Sequence, residues 1–246
     1  MFMGFNYDLL FSFFGIPFLY MLIIYLTSPY KSISFRDSLK AIILGFVSIT
    51  LLHFMYLIFP PVDYNCLSEF KKWFYVVGFR EELAKFLAFL MLMKWAIKEK
   101  EIHPICYMYY SAMVGLGFAI EENMVYMQRY GEFVLETRNF TAVLAHMFFG
   151  MFCGYWYGLG KLNTGAFYSR SVFGVVMKKW PRVKQFVYSS IGVVCAGAYH
   201  GLWNYNLNNS MFARDSIMIL MIFFGFIATK LLANNLMKGY RNKFNK

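Results

Sequence analysis

Seven stretches of this chain, near 9–27, 39–59, 72–93, 105–127, 140–160, 186–207 and 215–237, are apolar and long enough to cross a bilayer as helices, which takes about 20 residues apiece. The breaks between them carry turn or charge signals: Ser28-Pro29, Pro60-Pro61, the Lys98–Glu101 run with Pro104, and Trp180-Pro181. The pattern predicts an all-α, polytopic transmembrane bundle of about seven spans. Composition agrees. The 246 residues are 59% apolar and 22% aromatic but only 15% charged, against roughly 25% charged in an average globular domain. Too little polar surface is available for a soluble enzyme or a disordered chain.

The first span lacks a basic leading region and a small-residue cleavage site, so it reads as a retained helix. The longest connection, about 161–185, is short and basic. No soluble domain fits between the spans, and 1–246 reads as a single integral membrane domain. Cys66, Cys106, Cys153 and Cys195 show no CxxC pairing and read as small buried hydrophobes, neither a disulfide framework nor a zinc knot.

Charge gives the direction. The connections after spans one, three and five and the C-terminal tail hold sixteen basic residues, among them Lys31, Lys98, Lys161, Lys178, Lys179, Arg182 and Lys243. The opposite side holds five: Lys71, Lys72, Arg129, Arg138 and Arg214. The positive-inside rule then puts the N-terminus outside and the C-terminus in the cytosol. The net charge of +11 is accounted for by topology and anionic lipid, with no need of nucleic acid.

Ionisable groups within a span cost about 2.5–3.5 kcal/mol each on insertion scales and so require a reason. Here they occupy four consecutive spans: Arg80-Glu81-Glu82 and Lys85, then Glu121-Glu122-Asn123, then His146, then His200 with Asn204. The other spans hold only His53 and Lys230, apart from Lys40 and Asp215 at their edges. Small residues run along the same faces: Ser111, Gly115 and Ala119; His146, Gly150, Gly154 and Gly158; Gly192, Ala196 and His200. Such stripes let transmembrane backbones approach closely. The faces that pack inward therefore carry the titratable groups. At 1.5 Å per residue Glu81, Glu122, His146 and His200 lie roughly 7–14 Å below the outer edge, at one level.

Two chemistries suit this constellation. In one, a glutamate acts as general base on water while a histidine or a protonated carboxyl polarises the carbonyl under attack. In the other, Glu122, His146 and His200 ligate a zinc ion and Glu81 is the base. Neither needs a serine or cysteine nucleophile, and no HExxH, GxSxG, P-loop or GxGxxG pattern occurs. A third reading, from another class, is a proton- or cation-coupled transporter, since buried Glu, His and Lys also relay protons. Against it, the polar spans are consecutive, with no inverted repeat.

Glu81-Glu82-x-x-Lys85, Gly117-Phe118-x-x-x-Glu122-Asn123, His146 and His200-x-x-x-Asn204, in that order on four spans, resemble the signature of PrsW-type intramembrane proteases. These are similar to the type II CAAX prenyl endopeptidases among glutamate-dependent membrane proteases. The resemblance covers about Phe79 to Asn206. It implies a multi-pass enzyme of the cell membrane, with a catalytic core of about 72–207, that cuts a membrane-anchored protein near its extracytoplasmic side, as in the first cleavage of an anti-sigma factor. Carried over by position, it makes Glu81 the base, Glu82 its partner or support, and His200 with Asn204 the holders of the oxyanion. Glu122 stands where the CAAX enzymes have a histidine. Lys85 replaces an arginine one residue further on, which favours the PrsW branch. A catalytically inactive relative that only binds membrane partners is the remaining alternative.

Blander roles fall to other residues. His53 is read as a packing residue, Arg80 and Lys85 as ion-pair partners, Glu121 as facing another helix or the rim, and Asn123 equally as a helix–helix hydrogen bonder or a catalytic group. Tyr107, Tyr109 and Tyr110 are read as an interfacial belt, and His103 as solvated.

Overall fold

A computed structural model describes residues 7–28, 33–60, 67–97, 102–164, 181–209 and 214–244. Cys66, the 98–101 charge run and most of the basic connection, including Lys178 and Lys179, lie outside them. The described residues form helices, with no strand among them. These are α1 (7–27), α2 (Phe35–Ile58), α3 (69–96), α4 (Ile105–Tyr130), α5 (Val134–Phe140), α6 (Ala142–Thr164), α7 (Pro181–Asn209) and α8 (Arg214–Phe244).

Local chemistry sets the ends. Ser34 caps α2 by accepting from the Asp37 N–H, and Ser68 caps α3 by accepting from the Lys71 N–H. Pro181 opens α7, where its missing N–H costs nothing. Gly131 ends α4 at φ 93°, a conformation that glycine adopts without strain. Within α3 the regular turn Arg80–Met91 is flanked by wider π-helical stretches at Lys72–Phe79 and Leu92–Ala96.

Four helical stretches are long and apolar enough to cross a membrane: Asp8–Thr27, Phe35–Ile58, Val134–Asn163 and Asp215–Asn242. The chain is therefore a helical membrane protein. α1, α2 and α8 expose much of their apolar surface, Leu26, Leu57, Phe223 and Leu231 among it. α3, α4 and α7 fall short because polar residues dilute them, and they stand with α6 at the protein's interior. α4 is its axis: from Cys106 to Ile120 every residue is buried.

The small-residue stripes do what their spacing predicts. A Cβ on Gly115 would lie 2.3 Å from the His146 carbonyl oxygen, and one on Gly150 2.3 Å from that of Ser111, so α4 and α6 touch backbone to backbone. Gly78 and Gly197 bring α3 against α7 in the same way. Three sequence expectations fail. Cys106 and Cys153 are buried as expected, but Cys195 is exposed. Tyr107, Tyr109 and Tyr110 form no surface belt but are buried in the core. The Tyr110 hydroxyl accepts from the Ser34 N–H at 3.0 Å, and that of Tyr109 shares a 2.8 Å hydrogen bond with Ser38, so both anchor the start of α2. His103 is half-buried, its ring 4.3 Å from that of Tyr240, and its Nδ1 accepts from the Ile105 N–H.

Candidate active site

α3, α4, α6 and α7 deliver their polar residues to one place. Glu82 is fully buried. Its Oε1 accepts from Lys85 Nζ, three residues along the same helix, and from His200 Nδ1 of α7 at 2.8 Å. An imidazole that donates through Nδ1 presents Nε2 as a lone pair. That nitrogen lies 3.8 Å from Glu81 Oε2, a buried oxygen with no hydrogen-bond partner among the described residues.

Lys85 Nζ reaches further, to His146 Nδ1 at 2.9 Å. An ammonium can only donate, so the neutral ring keeps its proton on Nε2 and gives it to Glu122 Oε2 at 2.9 Å. The same Glu122 oxygen accepts from Arg138 of α5. Arg138 also donates to Asn123 Oδ1 at 2.7 Å and lies 3.7 Å above the Tyr126 ring. The two imidazoles stand at 89° with centroids 5.2 Å apart, and Phe149 stacks on His200 at 4.7 Å. Lys85 lies over the Phe118 ring at 4.3 Å. The cluster is largely buried and walled by aromatic faces, and two of its carboxylates have cationic partners, Glu82 in Lys85 and Glu122 in Arg138, while Glu81 has none among the described residues.

Glu81, His146 and His200 each turn one ligand atom inward, all within 4.8 Å of one another. Two imidazoles and a carboxylate are a common zinc donor set. Two further observations fit a cation: the orphaned oxygen of Glu81, and the lone pair of His200 with its other nitrogen fixed on a carboxylate. Ligation through His146 Nε2 would require that nitrogen to give up the proton it shares with Glu122.

A model of the PrsW family of intramembrane metalloproteases matches residues 34–229. The chain belongs to that family. No curated protein and no solved structure is similar enough to count as a match. Membership makes the chain a membrane protease, and the matched PrsW span takes in all four helices of the cluster.

Of the residues singled out from the sequence, Glu81, Glu82, Glu122, His146 and His200 come together. Asn204 does not: it is half-buried one turn beyond His200, with no side-chain hydrogen bond to the cluster among the described residues. The carboxylate that joins the two histidines in the trio is Glu81, whereas the sequence expectation placed Glu122 there. Lys85 is the ion-pair partner expected. Arg80 has no such pair; its guanidinium lies over the rings of Tyr56 and Tyr75, with Nη1 buried and without a hydrogen bond among the described residues. Asn123 is a helix–helix hydrogen bonder, to Asn139 and Arg138. Arg138 is the residue that sequence reasoning missed. In the sequence it reads as a loop cation, and nothing in the polar run Glu136-Thr137-Arg138-Asn139 marks it as facing inward.

Proposed function

We propose that this PrsW-family chain crosses the cell membrane seven times, N-terminus outside and C-terminus cytosolic, and hydrolyses a peptide bond of a membrane-anchored protein near the outer face. The observation that carries the reading is Glu81 Oε2, a buried carboxylate oxygen with no hydrogen-bond partner among the described residues, facing two imidazoles. A carboxylate oxygen with its acceptor site free can take a proton, and the water of peptide hydrolysis supplies one. Glu81 takes that proton as water attacks the carbonyl carbon and returns it to the amine nitrogen as the C–N bond breaks. Glu82 fixes the orientation of His200, Lys85 balances Glu82, and Glu122 with Arg138 fixes His146. Asn204 donates to the oxyanion in this reading, on the strength of the His200-x-x-x-Asn204 resemblance alone. With a divalent cation bound, zinc by donor type, Glu81, His146 and His200 would hold it; Glu81 would then serve as ligand in place of base, and the cation would polarise the carbonyl and acidify the water. The substrate class, a single-pass regulator such as an anti-sigma factor, follows from the family resemblance.

The test combines cleavage and metal content in detergent-purified protein. Glu81→Gln should abolish cleavage of a reporter substrate while the protein remains folded, and persistent cleavage would overturn the assignment. About one metal ion per chain, lost in His146→Ala, His200→Ala and Glu81→Gln but kept in Glu122→Gln, supports the trio as ligands. Loss in Glu122→Gln with retention in Glu81→Gln makes Glu122 the ligand and leaves Glu81 as base alone. Cleavage by protein free of metal points to glutamate–histidine catalysis.

A further inference from the structure

α3 and α7 meet at one end and part at the other. Near Gly78, Gly197 and Gly201 their backbones touch, with a Cβ on Gly78 reaching within 2.5 Å of the Gly197 carbonyl oxygen. Towards Leu90 and Arg182 they separate, and a cleft of about 510 Å³ opens between them. That volume falls within the roughly 300–1,000 Å³ of small-molecule sites. One wall is Leu83, Leu87 and Leu90 of α3. The other is a stripe at helical spacing on α7: Arg182, Phe186, Ser190 and Val194. Leu87, Phe186 and Val194 are exposed, so the cleft opens sideways where lipid would lie. Its composition is graded. Along the helices it is mainly apolar, with Gln185, Ser189 and Ser190 as its polar groups, and at the start of α7 it ends in the exposed cation Arg182.

The sequence adds charge at that end. In the sequence, Arg182 is preceded within four residues by Lys178, Lys179 and Trp180. Basic clusters beside a transmembrane helix attract anionic lipid, by about 1 kcal/mol per cation near the surface.

We propose that the α3–α7 cleft is a binding site for one anionic phospholipid, an acyl chain lying between Leu83, Leu87 and the Phe186–Val194 stripe and the phosphate held by Arg182. An apolar slot capped by a cation matches an amphiphile with an anionic head and an apolar tail. It does not match a soluble phosphate, which would leave the slot empty. The site uses no residue of the Glu81 cluster and stands whether or not the chain cleaves as proposed. Only its assignment to the cytosolic leaflet rests on the proposed orientation.

Native mass spectrometry of the full-length protein, released from detergent with phosphatidylglycerol or phosphatidylcholine, tests it. Phosphatidylglycerol adducts should persist at collision energies that strip phosphatidylcholine. Arg182→Gln should reduce that preference severalfold. Ser190→Phe, which fills the slot without changing charge, should lower retention of both lipids. Lys230→Gln removes a cation at another apolar groove and should leave the preference intact. Equal loss in Lys230→Gln would reduce the effect to net charge and overturn the site, as would unchanged retention in Ser190→Phe. Competition by glycerol 3-phosphate as effective as that by the lipid would assign a soluble phosphate and also overturn it.

Discussion

Lys85 touches Glu82 and His146, and so joins the two halves of the cluster from below. Its side chain and that of Glu82 are 4% and 0% exposed, so either charge left alone has no water to turn to. Glu82→Gln should therefore cost about 3–5 kcal/mol of stability, the range for breaking a buried pair from one side. The double variant Glu82→Gln with Lys85→Met should recover most of that loss in thermal unfolding while staying inactive, because His200 has lost its carboxylate partner and His146 the ammonium that donates to Nδ1. Recovered stability together with recovered cleavage would show that the pair serves only folding. This pair was legible in the sequence because Glu82 and Lys85 sit three apart on one helix. The Glu122–Arg138 pair was not, since its partners come from different helices and no periodicity links them. Nor could spacing decide between Glu81 and Glu122 as companion to the two histidines. That choice depends on how α5 carries Arg138 onto Glu122.

Helices are positioned here by glycine more than by polar contacts. One close approach of α4 to α6 leaves no room for a Cβ on Gly115 beside the carbonyl of His146 itself, so packing and chemistry share one residue. Gly115→Ala should force the helices apart, at a cost of roughly 1–3 kcal/mol for overpacking, and should depress cleavage beyond its effect on stability by displacing His146. Gly239→Ala, whose added Cβ would meet only Leu162 Cδ1 at 3.7 Å, is the neutral control in the same unfolding and cleavage assays. The stripes were readable because α4, α6 and α7 hold their 3.6-residue period through the contact. α3 was readable in part. Over Arg80–Met91 the regular period keeps Glu81, Glu82 and Lys85 where spacing puts them. The π-helical stretches on either side carry nothing in the residue pattern that announces them, although wide turns of this kind gather at functional sites. The buried tyrosines of α4 were misread for a related reason: an aromatic run near a span end has the same composition whether it faces lipid headgroups or a neighbouring helix.

Seen whole, the molecule sorts its helices by polarity, with apolar α1, α2 and α8 outside and the diluted α3, α4 and α7 within. The proposed orientation makes a direct prediction at this scale. An epitope tag inserted beside Glu132, between α4 and α5, should be reached by antibody on intact spheroplasts, and one after Lys246 only once the membrane is permeabilised. A C-terminal tag accessible from outside would invert the arrangement and move the cluster to the cytosolic half. The sorting also bears on how the chain enters a bilayer as it is synthesised. Emerging alone, α3 would offer lipid Arg80, Glu81, Glu82 and Lys85 within six positions, each at about 2.5–3.5 kcal/mol. It has no reason to leave the insertion machinery until α4, α6 and α7 arrive to take those charges. The protease therefore becomes stably embedded only as its site is assembled, and a nascent chain halted before α7 is a natural target for quality control.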